Sequence, residues 1–114
     1  MLEKDLLESL LSELRRGTLI LCVLSLLDRS YYGYALVQDM SQKGVPVDAN
    51  TLYPLLRRLE KQKLLYSEWD TSEAKPRKYY KRTAYGDQIY ASLAQQWREM
   101  SAGINSLIGG NEYE

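Results

Sequence analysis

The side chains best suited to chemistry crowd into one stretch of this chain, and they suit recognition of a polyanion better than bond breaking. If residues 50–63 wind at about 100° per residue, then Leu52, Leu55, Leu56 and Leu59 share one side of a helix. Asn50, Pro54, Arg57 and Lys61 fall opposite, with Tyr53 and Arg58 on the flanks. These are the groups that read base edges and hold phosphates: Arg grips guanine through two bonds, Asn grips adenine, and Lys meets the backbone. A merely solvated face would more often alternate Glu with Lys, yet Glu60 is the only acid on this helix. Pro54 suits a first helical turn, where its missing N–H costs least. It therefore marks a helix start at least as well as it marks a contact.

A second basic group follows. Lys75, Arg77 and Lys78 precede the adjacent pair Tyr79 and Tyr80, and Lys81 follows it. Neighbouring side chains on a strand point to opposite faces, so one tyrosine packs inward and the other, expected to be Tyr79, can lie against a sugar–phosphate wall. The three preceding cations would stand at a hairpin tip, within reach of phosphates or a minor groove. Between Leu55 and Arg82 there are nine basic residues against four acidic, a net +5, while the rest of the chain carries −5. A formal charge of zero thus conceals a bipolar molecule whose basic side is the footprint of phosphate binding. Either group alone could be ordinary solvated charge; together they point to double-stranded DNA.

Other chemistries lack their residues. Without histidine, neither a Ser/His/Asp arrangement nor a His-rich metal site can be built. The single cysteine, Cys22, sits in an apolar run with no base beside it, and reads as a core thiol. The glycines make no phosphate-cradling loop. No enzyme, metal or cofactor is expected. No apolar run approaches the roughly 18 residues of a membrane span, and residues 1–16 do not read as a leader, so the expected location is cytoplasmic.

At 114 residues the chain is one domain long. Leu6, Leu7, Leu10, Leu11 and Leu14 follow the spacing of an amphipathic helix. Whether Gly17 breaks or only bends the path into a second helix, about 18–27, stays open. Asp28–Ser30 reads as a turn, 32–42 as a helix stopped at Lys43–Gly44, and Val45–Val47 as extended. A helix capped by Asp48 or Asn50 runs to about Lys63. Strands 64–69 and 77–82 make a hairpin around a polar loop, with Trp69 read as packing. Thr83 caps a last helix, 84–108, before an acidic, disordered tail at 109–114. The fold class is mainly α. A winged helix-turn-helix over 18–83 carries a two-stranded wing and is flanked by terminal helices 1–17 and 84–108, and helix 50–63 would enter the major groove.

Tyr90, Leu93, Trp97, Met100, Ile104 and Leu107 are spaced alternately three and four apart, a seam that asks for a helical partner. With the stripe Leu6–Leu10–Leu14 it predicts a two-fold homodimer; packing of the two terminal helices on each other within one chain is the other solution. Trp97 reads as an interface anchor, or as half of a paired stack for a flat aromatic ligand that Met100 would help to fit.

Thr51–Lys61, Leu64–Leu65, Pro76–Tyr80 and Thr83 with Gly86 closely resemble the PadR-type transcriptional regulators, as do Arg16–Leu19 and Tyr32–Tyr34. The resemblance spans about Leu14 to Leu107 and adds Thr51 to the DNA-facing set. Having one helix after the wing, the chain looks like the short branch of that family. It implies a dimeric repressor on a palindromic operator, released by aromatic or hydrophobic small molecules; multidrug-binding members carry a tryptophan matching Trp97. Three positions depart from the family's pattern. Asn50 replaces a small residue, Ala74–Lys75 a glycine-rich wing tip, and Arg82 an aliphatic side chain. A winged helix that binds protein instead of DNA would fit the same elements.

Overall fold

A computed structural model describes residues 4–109. The elements run α1 (Lys4–Arg16), α2 (Leu19–Leu26), β1 (Tyr31–Tyr32), α3 (Gly33–Gln42), α4 (Ala49–Lys61), β2 (Leu65–Asp70), β3 (Arg77–Arg82) and α5 (Ala84–Gly109). Residues 1–3 of the N-terminal segment and 110–114 of the expected tail lie outside the described residues; Gly109 is the last residue of α5.

Gly17 breaks the helix. The Thr18 amide and hydroxyl both donate to the Arg15 carbonyl, at 3.1 and 2.8 Å, closing α1 before α2 begins. Asp48 is the cap of α4: its carboxylate accepts the Thr51 amide at 2.8 Å, which leaves Asn50 on the helix and exposed. The helix ends at Lys61, two residues earlier than its sequence suggests. Lys63 adopts a left-handed φ of 65°, and the Leu64 amide reaches back to the Leu59 carbonyl at 3.0 Å, a closure that stops the helix. Pro54 lies in the second turn rather than the first, where a proline takes away the bond that would go to the Asn50 carbonyl.

Leu52, Leu55, Leu56 and Leu59 bury themselves against Val23, Leu24, Leu27, Leu36 and Met40 to form the core. The sheet has three strands, order β1-β3-β2, all antiparallel. The strand that periodicity could not announce is β1, because two residues carry no period. Tyr31 and Tyr32 pair with Tyr80 and Tyr79, which anchors the start of α3 to the wing. The Tyr31 phenol also donates to Asp39 at 2.8 Å, and this bond holds the Asp39 carboxyl below its ordinary range.

At the far end of the wing, Thr83 joins three elements. Its hydroxyl donates to the Lys63 carbonyl at 2.7 Å and accepts the Gly86 amide at 2.9 Å. A Cβ on Gly86 would stand 2.0 Å from the Leu64 carbonyl oxygen, so only glycine lets the first turn of α5 approach this closely. The spacing Thr83-x-x-Gly86 is therefore a packing requirement.

Candidate nucleic-acid interface

All seven recognition-helix residues expected from the sequence (Asn50, Thr51, Tyr53, Pro54, Arg57, Arg58 and Lys61) are exposed. Five of them divide into two flanks. Thr51, Pro54 and Arg58 border a depression shared with Arg16 and Leu19, whereas Tyr53 and Arg57 face the wing across a cleft of about 690 Å³. Gly33 fixes the Tyr53 ring: a Cβ there would stand 2.4 Å from the Tyr53 Cε1 atom, so the ring rests on the first residue of α3. Among the described residues no acid forms an ion pair with Arg57, Arg58, Lys61 or Lys75.

The wing residues separate more than the sequence suggests. Lys75 and Arg77 are exposed, and the Arg77 guanidinium lies 4.8 Å from the Tyr32 ring centre. Lys78 turns toward α4. Its ammonium pairs with Glu60 at 3.5 Å and lies 5.3 Å from the Tyr80 ring centre, and Glu60 also accepts the Ser67 hydroxyl. Tyr80 is the inward tyrosine, 7% exposed. Tyr79, on the opposite face, is half-buried and meets Tyr32 edge-on at 5.7 Å, so it is not brought to the cleft beside α4.

Two aromatic residues at this surface escape a reading of the sequence. Trp69, expected to pack, is 63% exposed and lines the cleft opposite Tyr53 and Arg57. Tyr34 lines the same cleft and is also exposed. Strand alternation from buried Leu65 does put Trp69 on the helix-facing side. What it cannot tell is that the wing extends to where no element covers that side.

The residues expected at a dimer interface remain mostly bare. Leu6, Leu10 and Leu14 are exposed on α1, which buries no residue of its own. Trp97, Met100, Ile104 and Leu107 are exposed on α5, and Leu93 borders on exposure at 37%. Neither stripe covers the other, so terminal-helix packing within one chain is not the solution adopted. Tyr90 departs from the expected seam. It packs on the chain's own core, with the Arg82 guanidinium 4.4 Å from its ring centre. Beside Trp97, a hollow of about 490 Å³ between α2 and α5 is lined by Cys22, Val45, Tyr90 and Ala94, with Arg15 and Arg98 also in its wall. Met100 is not among its lining residues. Burial pushes the Cys22 thiol above its ordinary value, away from reactive thiolate. No helix among the described residues is long and apolar enough to cross a membrane.

Comparison with known proteins agrees with this architecture. A family model described as the transcriptional regulator PadR-like family matches residues 20–92. A transcriptional regulator of Mycobacterium tuberculosis is 33% identical over 86 residues, covering 75% of this chain and 78% of its own length. The crystal structure of a PadR family transcriptional regulator from Eggerthella lenta is 49% identical, covers 91% of this chain and 93% of its own, and superposes with a TM-score of 0.85. A PadR-like transcriptional regulator from Bacillus cereus is 31% identical with a TM-score of 0.78, covering 85% and 97% of the two chains. With its helix-turn-helix, its wing and the long helix behind them all accounted for, the chain belongs to the PadR-like family of transcriptional regulators.

Proposed function

We propose that the protein is a cytoplasmic repressor that binds a palindromic operator as a two-fold dimer. In this reading α4 enters the major groove. Arg57 and Asn50 read base edges, Tyr53 and Thr51 line the approach, and Arg58, Lys61, Lys75 and Arg77 hold phosphates on either side. The observation that carries the reading is the outward surface of α4, where exposed cations that form no ion pair among the described residues stand beside a basic wing. Two recognition helices one groove repeat apart need two copies, and the bare stripes on α1 and α5 supply apolar surface for pairing them. An operator so covered would exclude polymerase.

Release by a flat aromatic or hydrophobic compound is the second half of the proposal. Trp97 offers a ring to stack on, with the hollow between α2 and α5 beside it and Met100 one turn farther along α5. A ligand that binds better to one spacing of the two recognition helices shifts the population toward it, and DNA affinity changes by the differential binding energy. Selection of bound sequences from random duplexes, repeated with planar dyes present, tests both halves. A palindromic winner whose binding weakens with dye is the expected result. Failure to enrich any duplex, even in dilute buffer, would contradict DNA binding and favour a protein partner.

A further inference from the structure

We propose that Trp69 is a DNA-contact residue, its indole packing on the deoxyribose edge of the duplex between the groove entered by α4 and the wing tip. This rests on the DNA-binding reading above and extends it to an apolar side chain that charge alone would not pick out. Strand geometry aims the residue. Leu65, Ser67 and Trp69 alternate onto the helix-facing side of β2, opposite Arg82, Tyr80 and Lys78 on β3. Leu65 is buried and Ser67 reaches Glu60, so the wing is held to α4 at its base. Farther out the two separate, and Trp69 is left 63% exposed across the cleft from Tyr53 and Arg57.

The chemistry of the cleft identifies its occupant. Its lining includes Arg57, Lys75 and Arg77 but no carboxylate, so the partner is anionic. Trp69, Tyr34 and Tyr53 add broad apolar faces, so the partner must also present C–H surface between its charges. A sugar–phosphate backbone alternates the two, and the cleft is continuous with the outward surface of α4 on which Arg57 stands. Covering an exposed indole removes apolar area from water, a contribution that salt does not screen as it screens ion pairs. The indole therefore supplies the part of the affinity that survives at high ionic strength.

The test titrates the full chain, W69A, W69F and K75A with a fluorescein-labelled duplex of the selected sequence, over roughly 50–300 mM salt. W69A is expected to bind roughly ten-fold more weakly at every salt concentration, with the slope of log affinity against log salt unchanged. W69F should recover most of the loss, and K75A should make the slope shallower by about one. Acrylamide quenching gives a second readout: the Trp69 share of emission, taken as parent minus W69F, should be shielded by duplex. Parent-like affinity in W69A, or unshielded Trp69 emission while the parent binds, overturns the role of Trp69 alone. A parent that binds no duplex overturns the DNA-binding reading and this inference with it.

Discussion

Gly33 and Gly86 both sit where a methyl group would collide, yet their replacement has opposite consequences. At Gly33 the obstacle is the end of the Tyr53 ring, which can rotate away, and alanine at this first residue of α3 loses less backbone freedom on folding than glycine does. Gly33→Ala should therefore leave the melting temperature unchanged or slightly raised, while binding to the selected duplex falls several-fold as Tyr53 leaves its seat. At Gly86 the obstacle is a backbone carbonyl oxygen that cannot yield without moving the junction of α4, β2 and α5. Gly86→Ala should cost about 1–3 kcal/mol, the range for overpacking, read by thermal or urea unfolding. The wing lysines separate in a similar way. Lys75 is exposed and Lys78 is paired with Glu60, so Lys75→Ala should reduce the salt slope by about one and Lys78→Ala by clearly less. Equal slopes for the two variants would mean that the Glu60 pair opens on DNA.

Among the elements, α2, β3 and α5 meet at Arg82. Its backbone amide donates to the Leu27 carbonyl at 2.9 Å. Its guanidinium donates to the Leu24 carbonyl and to Asp87, both at 2.8 Å, and covers the Tyr90 ring. Cations near a helix C-terminus are favoured by the exposed carbonyls there, and α2 ends at Leu26 with no basic residue in its last turn. Arg82 supplies that charge from the end of β3. Arg82→Leu, the aliphatic type that the family resemblance leads one to expect, should lower stability by about 1–3 kcal/mol, because a hydrogen bond to a charged group is lost. Denaturant unfolding measures it; an unchanged midpoint would show that apolar packing on Tyr90 fully replaces the bond. Helix positions and the second wing strand were legible in the sequence because leucine spacing and strand alternation are local. In the sequence Arg82 is only one of the nine basic residues between Leu55 and Arg82, at a position the family fills with an aliphatic side chain, because its partners lie elsewhere in the chain.

At the scale of the whole molecule, the dimensions are 61 × 35 × 22 Å, elongated for a chain of this length because α1 and the distal part of α5 stand clear of the core. Beyond Ala94, α5 buries none of its residues, although Trp97, Met100, Ile104 and Leu107 follow one seam. In the two-fold pairing proposed above, this bare apolar surface is what a second copy would cover. Ile104→Asp should therefore yield a monomer by sedimentation, with the wing and core intact by circular dichroism, and binding to a two-half-site duplex reduced at least a hundred-fold. Retention of a dimer in Ile104→Asp would move the proposed interface off α5.

What the chain's own pattern determined is the run of helices and the wing hairpin, the buried side of α4, the basic outward side, and the family to which these belong. Each depends on neighbours within a few residues, where helical and strand periods act. Tertiary structure decided the rest. It enlisted Tyr31–Tyr32 as a third strand, turned Lys78 and Arg82 inward, gave Tyr90 to the core, and left Trp69 bare beside the recognition helix. In each of these cases the outcome was set by a partner far away along the chain, and only folding brings such a partner near.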